Sequence, residues 1–266
     1  MNEINNEKIK SILFDVSKEF ILPKFNNLKS EEVKFKNNTE LVTTVDIEVE
    51  EKLNNLLCSL IPNSLFVGEE KFSLNSKIFD CYKQNQYCWT VDPIDGTTNF
   101  VNGNEKFAIM VALTFSDQII QSWIYKPINE EMCLAILGEG TFVNDEKIII
   151  SNDRSIPESS GSISSKYWNA TFDLKMKEIR QKFKHVKSYG CIGFEYLEIA
   201  KNKRDFAILS KLSPWDHIPG ILIIREARGF DIHFDNTPYI HNIIKKNLVV
   251  SGSITLQNEI INLIKE

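Results

Sequence analysis

Three groups of acidic residues, far apart in the chain, are best suited to chemistry. They are Glu69 and Glu70 after Gly68; Asp92 and Asp95 within Asp92-Pro93-Ile94-Asp95-Gly96-Thr97-Thr98-Asn99-Phe100; and Asp216 after Pro214-Trp215. Each falls where an apolar strand pattern ends or a helix begins, a place where a rigid scaffold can present an exposed side chain. Asp92 and Asp95 are separated by a proline that restricts the backbone. Crowded carboxylates raise one another's pKa unless a cation neutralises them. Mg²⁺ suits such a set, because it uses few carboxylates and completes its shell with water and substrate phosphate. Gly96 admits close approach of a ligand to the backbone, and Thr97-Thr98-Asn99 can open a helix whose free N–H groups face a phosphate.

Each fragment alone has an ordinary explanation. Asp-Gly is a common turn, Glu-Glu a common solvated loop, and an Asp just before a helix a common cap. Only the combination carries a chemical reading. The other candidates are weaker. The four histidines, His185, His217, His233 and His241, have no metal-ligand spacing and read as packing or surface residues. Neither a Gly-x-Ser-x-Gly elbow nor a Walker sequence is present.

These acids need a scaffold. Ile9, Ile12, Leu13, Val16 and Phe20 repeat at helical spacing, as do Val45, Val49, Leu53, Leu56, Leu57 and Leu60 after a cap at Thr43 or Thr44, with Pro62 beyond. Residues 34–41 are polar and read as a mobile loop. Residues 65–67 form a short strand, and 88–91 a buried strand running into Asp92. Strand patterns then follow at 107–115, 119–125, 132–136, 141–143 and 147–150, close enough to form an antiparallel meander. Residues 73–86 fit no pattern. After residue 151 the pattern changes to helices at 174–183, 194–201, 218–227 and 256–264, alternating with strands at 206–209, 230–233 and 248–250. The expected fold class is α+β, two lobes packed in layers and sharing one site. The boundary is placed at 150, with most of the acids in 1–150 and Asp216 in 151–266.

Composition narrows the function classes. The chain has 266 residues, 42% of them hydrophobic, and a net charge of −5, which disfavours a nucleic-acid partner. No apolar run is long enough to span a membrane, and the N-terminus lacks a signal-peptide pattern. The five cysteines form no Cys-x-x-Cys pair and read as reduced thiols of a cytoplasmic protein.

Trp89-Thr90-Val91-Asp92-Pro93-Ile94-Asp95-Gly96-Thr97-Thr98-Asn99-Phe100 resembles the signature of the inositol monophosphatase family. Leu41-Val42-Thr43-Thr44-Val45-Asp46 is similar to its upstream segment, and Val67-Gly68-Glu69-Glu70 to its Gly-Glu-Glu loop. Pro214-Trp215-Asp216-His217-Ile218-Pro219-Gly220, running on to Glu226-Ala227-Arg228-Gly229, resembles its second signature. The four motifs keep the family's order across residues 8–260. The resemblance implies an α-β-α-β-α sandwich, a homodimer, a small phosphorylated metabolite as substrate, and hydrolysis dependent on Mg²⁺ and sensitive to lithium. It also implies roles. Glu69, Asp92 and the carbonyl of Ile94 would hold one Mg²⁺; Asp92, Asp95 and Asp216 would hold a second; a third ion would lie near Glu69. Thr97, paired with Asp46, would orient and activate water, with Glu70 behind the metal ligands. Gly96, Thr97 and Asp216 would face the substrate phosphate.

Departures concern the substrate wall. Gly190-Cys191-Ile192-Gly193 stands where the family carries Gly-Ser-Ala-Ala, Leu209 where it carries a Glu that contacts inositol hydroxyls, and Arg228 where it carries Gly. Leu209 cannot hydrogen-bond a ring hydroxyl, so inositol 1-phosphate is expected to be a moderate substrate. Glu195, Lys211 and His217 are candidates for replacement contacts. A less hydroxylated ester, or one carrying a cationic group, is expected to compete. The alternatives are histidinol phosphate, fructose 1,6-bisphosphate and 3′-phosphoadenosine 5′-phosphate. A rival reading is a non-catalytic metal- or phosphate-binding regulator on the same fold; the full complement of Asp46, Glu69, Asp92, Asp95, Thr97 and Asp216 argues against it.

Overall fold

The computed structural model describes residues 5–36, 40–164 and 166–266. Helix α1 (Asn6–Val16) runs into a wider helical turn, Ser17–Ile21. Strands β1 (Val33–Phe35) and β2 (Leu41–Thr43) pair antiparallel, so the described part of the expected loop is the pair of arms of a hairpin; residues 37–39 lie outside the described residues. Next come α2 (Thr44–Leu60), β3 (Leu65–Gly68), α3 (Glu69–Leu74), a 3₁₀ stretch Ser76–Lys83, β4 (Tyr87–Asp95) and the short α4 (Thr97–Val101). The meander follows as β5 (Ala108–Phe115), β6 (Gln118–Lys126), β7 (Glu131–Ile136), β8 (Gly140–Val143) and β9 (Glu146–Ile148). The remainder is β10 (Ser160–Ile163), α5 (Ala170–Arg180), β11 (His185–Val186), α6 (Ile192–Ala200), β12 (Phe206–Leu209), α7 (Pro214–Glu226), β13 (Phe230–His233), β14 (Leu248–Ser251) and α8 (Ile254–Lys265).

These elements form five layers. A seven-stranded sheet has the order β3-β4-β5-β6-β7-β8-β9, and a five-stranded sheet the order β11-β10-β12-β14-β13. Helices α1 and α2 cover one face of the larger sheet through Trp89, Val91, Ile109, Val111, Leu113 and Trp123. Its other face carries small or slender residues, among them Ala108, Met110, Ala112, Cys133 and Ala135, and packs against α6 and α7. Those two helices also contact the five-stranded sheet through Ala207, Leu209, Leu248 and Val250. The far face of that sheet, with Phe206, Ile208 and Val249, packs on α5 and α8. Because both faces of β4, β5 and β6 are covered, their sequences read as near-continuous apolar runs instead of alternating ones.

The central helix layer is tightly packed. A Cβ on Gly220 of α7 would sit 2.1 Å from the Tyr196 ring of α6, so only glycine lets the helices meet there. Sequence patterning placed the start of α7 four residues late, because the polar first turn, Pro214-Trp215-Asp216-His217, interrupts the apolar pattern; proline at the first helical position is ordinary. Strands β10 and β11 escaped notice because Ser160-Gly161-Ser162-Ile163 and a two-residue strand carry almost no apolar signal.

Arg228 follows the α7 cap with φ of 70°, in the left-handed region that favours glycine, and its side chain is exposed. A non-glycine residue there costs roughly 1–2 kcal/mol, partly offset by the greater entropy that a glycine loses on folding. Arg228→Gly is therefore expected to stabilise the chain by about 0.5–1 kcal/mol, read as a higher midpoint in chemical denaturation; a lower midpoint contradicts this account of the helix end.

Candidate metal centre

The position of Asp92 and Asp95 follows from an irregularity in β4. Asp92 is opposite Met110 and Asp95 opposite Ala108, so three steps on β4 match two on β5. Residues three apart in a regular strand face opposite sides. The extra residue makes a β-bulge and turns both aspartates to the side of Met110 and Ala108, toward the central helices. Pro93 sits in the bulge, where a missing N–H costs no ladder bond, and the Ile94 N–H donates to Asp92 Oδ1 at 3.1 Å. Gly96 ends the strand with φ of 87°; a Cβ there would lie 2.9 Å from the Lys106 carbonyl oxygen.

Other elements bring their acids to this point. Asp46 lies in the first turn of α2, where its Oδ2 accepts the Thr43 N–H at 2.7 Å and the Thr43 hydroxyl at 2.5 Å. Its Oδ1 lies 3.2 Å from Thr97 Oγ1, which is also 3.0 Å from the Ile94 carbonyl oxygen. Asp95 is held from α6: Oδ2 accepts the Cys191 thiol at 2.8 Å and the Gly193 N–H at 2.6 Å, and Oδ1 accepts the Ile192 N–H at 3.1 Å. Asp216 stands in the first turn of α7. Glu69 and Glu70 open α3 and both engage the Lys36 ammonium, at 2.6 and 2.5 Å.

Burial dominates the electrostatics. It raises the pKa of Asp92 well above normal, reinforced by the charges of Glu69, Asp95 and Asp216. Asp95 is pushed up to about 6, mainly by burial and against the hydrogen bonds from α6. Burial also lifts Asp46 to about 6, Glu70 to about 7 and Asp216 to about 8, where the charges of Glu69 and Asp95 add to it. For Lys36, burial pulls down but Glu69 and Glu70 outweigh it and hold the ammonium above its usual range.

The donor set fits a hard divalent cation: carboxylates and a backbone carbonyl, with no sulfur or imidazole among them. Among the described residues no trio of His, Cys, Asp or Glu stands in ready coordinating geometry. Glu69 is turned onto Lys36, so a metal held by this glutamate would have to displace the ammonium. The ammonium between Glu69 and Glu70 shows that this point attracts positive charge.

An open cavity of about 610 Å³ lies over these groups, lined in part by Lys36, Glu69, Gly96, Thr97 and Asp216. The structure thus brings every acid singled out in the sequence to one place, together with Ile94, Gly96 and Thr97. Two further residues were missed. Lys36 directly follows β1, in what reads as a featureless polar loop. Glu50 accepts the N–H groups of Glu70 and Lys71 at 2.7 and 2.9 Å and so anchors the α3 start. Its signal was present: a carboxylate one helical turn after Asp46.

The substrate wall differs from expectation. Leu209 is 6% exposed, packs in the apolar layer around α6 and α7, and does not line the cavity. Strand alternation is the reason, since Ala207 and Leu209 face the helix layer. Glu195 is also unavailable: buried, it binds Arg204 at 2.5 Å and accepts the Tyr189 N–H at 2.7 Å. His217 is buried and pushed down to about 4, so it is neutral. Its Nε2 donates to the Lys211 carbonyl at 3.0 Å, leaving Nδ1 to accept from the Tyr196 hydroxyl at 2.9 Å. Of the three proposed replacements only Lys211 lines the cavity, where Phe72, Leu212 and Trp215 supply the apolar wall.

Residues 5–266 match the model of the inositol monophosphatase family. The chain is 30% identical over 243 residues to an inositol monophosphatase of Dictyostelium discoideum, covering 86% of each protein. It superposes on a solved inositol monophosphatase of Thermotoga maritima with a TM-score of 0.83 at 21% identity, covering 97% of this chain and 96% of the other. A solved inositol monophosphatase/NADP phosphatase complexed with Mg²⁺ and phosphate matches with a TM-score of 0.81 at 21% identity, covering 97% of this chain and 94% of the other. The layered α+β fold is that of this group. The chain belongs to the inositol monophosphatase family, and with it to the phosphomonoesterases. No helix among the described residues is long and apolar enough to cross a membrane.

The raised carboxylate values make a stability prediction. Asp46, Glu70, Asp95 and Asp216 titrate near 6, 7, 6 and 8 when folded, against about 4 when unfolded. Between these limits the folded chain binds more protons than the unfolded one, so stability falls as pH rises through about 4 to 8. A divalent cation competes with those protons, so its stabilising effect grows over the same range. The melting temperature in chelator is expected to fall from pH 5 to pH 8, and Mg²⁺ to raise it more at pH 8. An equal Mg²⁺ effect at both pH values contradicts the clustered site.

Proposed function

We propose that this chain hydrolyses a small phosphate monoester with Mg²⁺ as cofactor, in a site shared by lobes 1–150 and 151–266. The observation that carries the reading is the bulge in β4, which sets Asp92 and Asp95 on one face beside Asp216. Glu69, Asp92 and the Ile94 carbonyl would hold one ion, Asp92, Asp95 and Asp216 a second, and the neighbourhood of Glu69 a third. Such ions offset the charge of a phosphate dianion and lower the pKa of a bound water.

The protein's own groups hold the proton inventory. The Thr97 hydroxyl has one proton and two acceptors within reach, Asp46 Oδ1 at 3.2 Å and the Ile94 carbonyl at 3.0 Å. Whichever it donates to, its lone pairs stay open to accept from a water and aim that water at phosphorus. Asp46 is kept in place by Thr43, which uses its other oxygen. Glu70 anchors Lys36 next to Glu69. Gly96 and Thr97 line the cavity where a phosphate would rest. The homodimer, the cytoplasmic setting and lithium inhibition belong to the same reading; family membership supports them.

Phosphate release from a panel of esters in Mg²⁺ tests the proposal. Asp92→Asn is expected to abolish most turnover while the fold survives, since it relieves carboxylate repulsion. Thr97→Ala is expected to lower kcat by about 10²–10⁴-fold with little change in Mg²⁺ affinity. Full Mg²⁺-dependent activity in Asp92→Asn sinks the assignment, and a phosphorylated Thr97 trapped during turnover rules out direct attack by water.

A further inference from the structure

Within the phosphatase reading, we infer that the preferred substrate carries a second anionic group besides the phosphate that is cleaved. The cavity is bordered by Glu69 and Asp216 of the acidic centre and also by Lys166, Lys211, Lys245 and Lys246.

Sheet topology, not chance, gathers these lysines. Strands β10 and β12 are parallel, and β14 is antiparallel to β12 with Leu248 opposite Leu209. The ends of β10 and β12 and the start of β14 therefore lie at the same edge of the sheet. Lys166 follows β10, Lys211 follows β12, and Lys245 with Lys246 precedes β14. Asp216 follows Lys211 at the start of α7, and both line the cavity, so the cationic edge adjoins the acidic centre.

The charge there is not fully spent inside the protein. Lys211 pairs with Glu40 at 3.0 Å, and Lys245 pairs with Asp235. Among the described residues Lys166 and Lys246 join no ion pair. The chain as a whole has a net charge of −5, so a positive wall in this cavity runs against its composition. A cationic ester, one expectation from the sequence, is repelled by this wall. An ester with a second phosphate or a comparable anion is attracted, and Phe72, Leu212 and Trp215 give its body an apolar face. Nucleotide and sugar bisphosphates share this chemistry.

The test uses the full chain with Mg²⁺ and two pairs of esters, each pair differing by one phosphate. They are adenosine 3′-phosphate with 3′-phosphoadenosine 5′-phosphate, and fructose 1-phosphate with fructose 1,6-bisphosphate. Exposed ion pairs each contribute a few-fold, so three lysines together are expected to give roughly a tenfold preference for the doubly charged member. That preference should appear mainly in KM, in at least one pair, and shrink as ionic strength rises. In a chain carrying Lys166→Gln, Lys211→Gln and Lys246→Gln the ratio of kcat/KM values should fall to within about threefold, while the matching Arg variants keep it. Turnover of the single-phosphate esters with ratios within threefold in both pairs leaves the phosphatase standing and overturns this inference. So does a preference that the Gln variant does not change. Turnover of inositol 1-phosphate but of none of these four esters overturns this inference alone; absence of turnover with inositol 1-phosphate as well overturns both.

Discussion

Burial of Asp92, Asp95 and Asp216 raises the pKa of each, first by desolvation and then by the charge of Glu69, with the Asp95 charge adding for Asp92 and Asp216, and the rest of the molecule is arranged to hold them there. An isolated cluster of this kind would spread apart. Here the backbone decides: a bulge in a strand buried on both faces fixes two aspartates, the first turn of α7 fixes the third, and α3 begins at the glutamates. The cost of crowding is carried by a seven-stranded sheet with apolar layers on both sides.

The supporting contacts share one logic. Thr43 caps α2 and in doing so orients Asp46. Glu50 anchors the start of α3 and so places Glu69. A Cβ on Gly68 would lie 2.3 Å from the Glu50 carboxyl carbon, which makes glycine necessary beside that anchor. The cap and first turn of α6 direct a thiol and two N–H groups at Asp95, and Tyr189 lies in the loop before them. The buried Glu195–Arg204 pair in turn holds this loop through the Tyr189 N–H. Asp46 and Asp95 are thus fixed by hydrogen bonds, while Glu69 and Asp216 line the cavity.

The clustered acids and the lysine wall come from different parts of the chain. The acids other than Asp216 sit on elements before residue 96, and the lysine wall on connections of the five-stranded sheet. The central layer of α6 and α7 joins them, and its close contact at Gly220 and Tyr196 leaves little room for one sheet to slide against the other. His217, bonded to both Tyr196 and the Lys211 carbonyl, ties the cationic edge to that layer.

The sequence by itself picked out the acids that the fold brings together and most of the elements. Carboxylates next to Pro, Gly and Thr in fixed strings are local signals, and so are long apolar runs such as residues 107–115. Tertiary structure alone decided the rest. That Asp92 and Asp95 share a face depends on pairing with β5, since their spacing in a regular strand would separate them. The role of Lys36 depends on a hairpin that folds back over α3. Strands β10 and β11 exist because neighbours complete them, not because their residues favour extended structure. Leu209 faces the core and not the cavity because the five-stranded sheet has helices on both sides. The cationic wall is assembled from residues 166, 211, 245 and 246, brought together only when three strands end at one edge. Local strings record what a short stretch of backbone requires; contacts between distant segments depend on burial and charge summed over the whole fold, which no single stretch encodes.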